Sequence, residues 1–294
     1  DGDGDTAEQS VTVNTVAGPL FNDAPSGGSS VVTTDEGNIP GMGSQHETSA
    51  TQPFGAATDG SFKMELHGAD ATVSIGGTEL KVENGKLYHN GVEVTADAAV
   101  SVPGGAHGTL TVTGMDADGT VHYTYTLTTP VDATGNASNR PGEGDAGRGE
   151  AVHADAFDVS ITTTGGTATG QITVDALDDA PVLSTLDTTQ TTVADSEAAL
   201  TGTLSFTPGA DAEGAQVTVE VEGQTFTGTK GENGWTFTGG SDGSSFQLNG
   251  TAFTYTRPSS NTTDGRNDTI TLQVTVTDGD GDTAEQSVTV NTVA

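Results

Sequence analysis

Along most of the chain, apolar and polar residues alternate with a period of two, which is the signature of strands with one buried face. The C-terminal third reads most cleanly. Alternating runs fall at Val182 to Thr192, Ala199 to Phe206, Gln216 to Glu222, Gln224 to Thr229 with Trp235 to Thr238, Ser245 to Leu248, Thr251 to Thr256, Thr269 to Thr277 and Ala284 to Val293. Turn dipeptides separate them at Pro208-Gly209, Asn233-Gly234, Asn249-Gly250 and Asp264-Gly265, where glycine or proline supplies the backbone angles that a tight reversal needs. Seven or eight short strands at this spacing predict a Greek-key sandwich. Phe206, Trp235, Phe237, Phe253 and Tyr255 are expected in its core. A less regular set precedes it, at Phe62 to Leu66, Ala71 to Ile75, Glu79 to Val82, Gly108 to Thr113, Val121 to Thr128, Phe157 to Thr164 and Thr169 to Leu177, with a long loop from Pro130 to Asp155. No segment has helical periodicity.

Residues 1–17 and 278–294 are the same sequence, DGDGDTAEQSVTVNTVA. The chain therefore reads as one unit of a tandem array plus a short overlap. Phe21 to Pro25 (FNDAP) and Leu177 to Pro181 (LDDAP) each follow an alternating run and end in Ala-Pro, and proline stops a ladder by removing an N–H. The expected organisation is 1–24, the last strand and linker of an upstream module; 25–180, module A, an elaborated β-sandwich; and 181–294, module B, an immunoglobulin-like β-sandwich.

Composition sharpens this picture. Ile, Leu, Val and Phe together make 54 of 294 residues, and Thr alone makes 52. The side-chain core is thin, while the β-branched content favours strands. Forty-one acidic against 8 basic residues give a net charge of −33, which repels nucleic acid and anionic membranes. No run of 18 apolar residues occurs, so direct membrane insertion is not expected. With no cysteine, disulfides and thiolate chemistry are excluded. Such a chain needs another staple, and hard divalent cations bind carboxylate oxygens.

The acidic residues sit where modules would meet. Asp278, Asp280 and Asp282 form an Asp-Gly-Asp-Gly-Asp hairpin loop, in which glycine lets alternate carboxylates turn toward one point. It is not an EF-hand, since glycine is missing at loop position 6 and glutamate at position 12. Strand parity returns this loop and the loop Pro208 to Ala215, with Asp211 and Glu213, to the end of module B where the linker residues Asp178 and Asp179 arrive. Seven carboxylates are thus expected to converge, enough for two or three Ca2+ ions. Asp195 and Glu197 are expected at the opposite end, facing a linker such as the one holding Asp23. Asp116 and Asp118, in the turn Met115 to Gly119, form a weaker candidate.

Six scattered histidines show no HExxH spacing, and no GxxxxGK occurs, so no enzyme is read here. The competing readings are a glycan- or peptide-binding module using the Pro130 to Asp155 loop, and a self-associating filament subunit using the strand Gln9 to Val16.

The succession of strand, DGDGDTA, strand and NDAP or DDAP linker resembles the tandem extender modules of giant bacterial adhesins exported by type I secretion. The stretch GTLTVTGMDADGTVHYTYTLT with the ending DAFDVSITTTGGTATGQITVDALDDAP is similar to a repeat common in those proteins, and the linker resembles the acidic linkers of cadherins. The resemblance is strong at 157–181 and 269–294 and loose at 26–107. It implies tandem immunoglobulin-like or cadherin-like sandwiches forming a calcium-rigidified spacer on the bacterial cell surface, serving adhesion or biofilm formation. Its partners would be neighbouring copies of the repeat and other cell-surface or matrix components. Module A departs from the pattern at Gly165-Gly166, where DGD is usual.

Overall fold

A computed structural model describes residues 17–22, 29–43, 55–131, 148–194, 197–232, 234–258 and 268–293. The strand Gln9 to Val16, the linker residue Asp23, Asp195 and most of the Pro130 to Asp155 loop lie outside the described residues. The fold is all-β, with tandem Greek-key sandwiches around two separate hydrophobic cores, one drawn from residues between Val32 and Ala176 and one from residues between Leu183 and Val290.

The first sandwich contains β1 (Leu20–Asn22), β2 (Ser29–Asp35), a 3-10 turn (Glu36–Asn38), β3 (Ala57–Glu65), β4 (Ala71–Ile75), β5 (Thr78–Glu83), β6 (Lys86–His89), β7 (Val92–Glu93), β8 (Val100–Val102), β9 (Gly108–Met115), β10 (Thr120–Leu127), β11 (Arg148–Thr163) and β12 (Gly166–Asp179). Its sheets have the orders β1-β3-β10-β9-β8 and β2-β12-β11-β4-β5-β6-β7. The alternation explains β10 directly: Val121, Tyr123, Tyr125 and Leu127 are buried while the residues between them face outward. Gly60 lies opposite Tyr123, and a side chain there would collide with the ring.

Sequence patterning overlooked β2 and β6 to β8, which are short or rich in polar residues. Arg148 to Asp155 belongs to the long strand β11, not to the loop, because it pairs with the end of β12. Leu20–Asn22, in the segment assigned to the linker, pairs with β3, and Phe21 stacks on Phe62 at 5.0 Å.

The second sandwich contains β13 (Val182–Thr188), β14 (Thr192–Ala194), β15 (Ala199–Thr207), β16 (Gln216–Val221), β17 (Gln224–Gly231), β18 (Gly234–Gly239), β19 (Ser245–Asn249), β20 (Ala252–Thr256), β21 (Thr269–Thr277) and β22 (Thr283–Val293). Its sheets run β13-β15-β20-β19 and β14-β22-β21-β16-β17-β18, the strand arrangement of an immunoglobulin-type Greek key. The single run expected at Val182 to Thr192 is split between the two sheets: β13 pairs antiparallel with β15, and β14 pairs parallel with β22. Phe253 and Tyr255 are buried as expected. Phe206, Trp235 and Phe237 are half-buried and pack against the core, whose centre also takes Phe226 and Phe246. Threonine supplies the outer faces, where cross-strand hydroxyl pairs such as Thr271 with Thr289 (3.0 Å) form.

Candidate metal centre

The centre is assembled by register. Strands β2 and β12 run parallel with Asp35 opposite Leu177, so Asp35-Glu36 and Asp178-Asp179 leave the first sandwich side by side. Asp35 caps the following 3-10 turn, accepting from the Gly37 N–H at 2.9 Å. From the second sandwich come two loops, 208–215 between β15 and β16 and 278–282 between β21 and β22. They are tied together by the Gly279 N–H, which donates to the Asp211 carbonyl at 2.7 Å. Only glycine fits at 279, because a side chain would meet the Glu213 carbonyl. The two sandwiches are joined directly where the Ala210 N–H donates to Asp179 Oδ2 at 2.9 Å. Asp278 Oδ1 accepts from the N–H groups of Gly281 (3.0 Å) and Asp282 (2.6 Å), which folds the Asp-Gly-Asp-Gly-Asp loop onto itself.

These acids are buried. Asp35, Glu36 and Asp179 are fully enclosed, and Asp178, Asp211, Asp278 and Asp282 are each less than a tenth exposed. One oxygen each from Glu36, Asp178 and Asp211 lie within 4.8 Å of one another. Carboxylates are almost never placed so unless something neutralises them. Glu36 Oε1 accepts from the Val131 N–H at 2.7 Å, yet Glu36 Oε2, Asp178 Oδ1, Asp278 Oδ2 and Asp280 Oδ1 are buried without a hydrogen-bond partner among the described residues.

The electrostatic consequence is a large upward shift in pKa. Burial pushes Glu36 up to about 10, with repulsion from Asp211, Asp178 and Asp179 adding to it against the opposing pull of the Val131 N–H. Asp178 rises to about 8 through burial and then the charges of Asp280, Asp282, Asp211 and Asp179. Asp278 rises to about 9 through burial and its contact with Asp280. The same oxygens could bind either protons or a cation. An all-oxygen, carboxylate-rich donor set fits a hard divalent cation and is unsuited to soft metals.

Of the residues expected from the sequence, Asp178, Asp179, Asp211, Asp278, Asp280 and Asp282 are brought to this junction. Glu213 is exposed and lines an adjoining cleft of about 990 Å3 with Lys230 and Asp280. Glu197 is exposed and its carboxylate accepts from the Ala194 N–H at 3.3 Å; Asp195 and Asp23 lie outside the described residues. Asp116 and Asp118 are turned to separate partners, His122 at 2.8 Å and Lys63 at 3.1 Å, on an exposed hairpin. Asp35 and Glu36 were missed. Their signal was available, since Val31 to Glu36 is a β run ending in an acidic pair, as Leu177 to Asp179 is.

No family model matches the chain, and no curated protein matches it. Among solved structures it is similar to a segment of three immunoglobulin domains of titin in an E-to-A mutated variant, at 10% identity over 95% of this chain and 66% of that chain, with a TM-score of 0.27. It is also similar to immunoglobulin domains 1 and 2 of DIP-gamma, at 12% identity over 94% of this chain and 98% of that chain, TM-score 0.27. A four-repeat fragment of Drosophila N-cadherin is matched at 11% identity over 95% of this chain and 51% of that chain, TM-score 0.27.

Proposed function

We propose that the chain is a non-catalytic structural extender, part of a tandem array in a large cell-surface adhesin, whose A–B junction is made rigid by Ca2+. The reading rests on one observation: acids from both sandwiches, Glu36 and Asp178 from the first and Asp211 from the second, bring oxygens within 4.8 Å of one another while buried. Asp179, Asp278, Asp280 and Asp282 complete the donor set. Calcium takes six to eight oxygens in flexible geometry, whereas magnesium demands a tight octahedron and keeps its waters. The ion would neutralise the clustered carboxylates and hold the linker against both loops. The repeat of residues 1–17 at 278–294 supports the array, and the resemblance to extender modules supports the extracellular setting.

Calorimetry of the whole chain tests this. Each independent ion adds about 2.7 kcal/mol to folded-state stability at a hundredfold excess over Kd, so the melting temperature should climb by many degrees from chelator to millimolar CaCl2. An unchanged melting temperature would reject the proposal.

A further inference from the structure

We infer that the outer face of β5, β6 and β7 is a binding site for a neutral sugar ring, with Tyr88 as its platform. Along β5, Leu80 and Val82 are buried in the first core while Glu79, Lys81 and Glu83 face solvent. Tyr88 stands opposite Lys81 on one side and Glu93 on the other, so its ring belongs to that outer face. It is the only aromatic residue among those described that belongs to neither hydrophobic core nor packs against one. An aromatic surface left in contact with water on a rigid sheet is an unused contact area.

The ring sits in a groove of about 830 Å3, whose lining includes Glu79, Lys81, Glu83, His89 and Asn90. That volume matches a small-molecule site. The groove is held stiffly. Asn84-Gly85 and Asn90-Gly91, all with positive φ, make two-residue hairpin turns on either side of β6. His89 Nδ1 lies 3.0 Å from the Glu79 carbonyl, which can only accept, so Nδ1 carries the proton and Nε2 accepts from Asn90 Nδ2 at 2.9 Å. This relay fixes the Asn90 amide and leaves its oxygen and second N–H for a ligand. Lys86 and Glu93 satisfy each other at 2.8 Å.

The chemistry selects the ligand. An aromatic face takes the C–H face of a pyranose, and carboxylates, an ammonium and an amide around it take hydroxyl groups. A net charge of −33 disfavours an acidic sugar. None of these residues belongs to the junction cluster, so binding here stands or falls separately from the calcium proposal.

Saturation-transfer NMR and calorimetric titration of the whole chain with maltotriose, cellotriose and N,N′-diacetylchitobiose test the site, with 3′-sialyllactose as the acidic control. At least one neutral probe should bind with Kd below about 10 mM, equally in calcium and in chelator under conditions where both forms are folded. Tyr88→Ala should weaken it about tenfold or more, and Tyr88→Phe should keep it within about threefold, because stacking needs the ring and not the hydroxyl. Tyr88→Thr, a residue suited to an exposed strand, repeats the test should the alanine variant fold poorly. Failure of all three neutral probes, undiminished binding by the ring-less variants, or tighter binding of the acidic control would each overturn the assignment.

Discussion

Two buried carboxylates in the first sandwich show how differently an acid can be accommodated. Asp155 is surrounded by protein donors: the N–H groups of Ala106 (2.6 Å), His107 (3.2 Å) and Gly108 (3.1 Å), together with the Tyr125 hydroxyl. It needs no cation. Asp155→Ala would strand those donors, so stability should fall by roughly 3 kcal/mol while calcium affinity stays the same, as denaturant melts and a calcium titration can check. Glu36 has one N–H donor and several negative neighbours. Glu36→Gln keeps an oxygen for the Val131 N–H and removes the charge. In chelator near neutral pH that variant should melt above the parent, because the parent must take up a proton at Glu36 to bury it and the amide need not. Its calcium affinity should drop by roughly tenfold or more, since affinity at such sites follows ligand charge. A variant melting below the parent in chelator with calcium affinity intact would make Glu36 an ordinary structural residue.

At the level of elements, the strands were readable and the register was not. Period-two alternation located β9 to β12 and nearly all of module B, because each buries one face. It could not reveal that β2 pairs parallel to β12, since Ser29–Asp35 carries only two valines among polar residues. That pairing is what places Glu36 beside Asp178, so the junction was legible as linker plus two loops, while the acidic end of β2 could be seen in the sequence but not placed there. The partners of Asp116 and Asp118 were hidden for a related reason: Lys63, on the neighbouring strand β3, and His122 lie within reach only once the hairpin is formed. The assembled elements also carry a pH signature. The folded values of Glu36, Asp178 and Asp278, about 10, 8 and 9, lie above the unfolded carboxylate range near 4. Folded protein therefore holds more protons between these values, and its stability falls as pH rises. In chelator, the melting temperature should be highest near pH 5 and decline toward pH 9. With saturating calcium the decline should flatten, because the ion takes the place of the protons. A metal-free melting temperature that rises over that interval would contradict the burial of these acids.

For the molecule as a whole, the separate cores mean that each sandwich can remain folded while the angle between them changes, and the junction decides whether it does. A direct tie there is the bond from the Ala210 N–H to Asp179, one hydrogen bond of about 1 kcal/mol net, set against the mutual repulsion of buried acids. The calcium proposal has that balance favour opening when no cation is bound. On the calcium proposal, small-angle scattering should give one narrow distribution of particle lengths with calcium and a broader one in chelator. Replacing Asp280 with Ala removes a donor that faces Asp178, so this variant should stay broad at calcium concentrations that order the parent. Asp3→Ala is the matched control. Asp3 holds in residues 1–17 the place that Asp280 holds in the identical stretch 278–294; the proposed clamp uses the second copy, so the loss of Asp3 should leave the scattering unchanged. Equal loss of order in both variants would mean that the aspartates act as a diffuse acidic surface, and that no particular junction clamps the array.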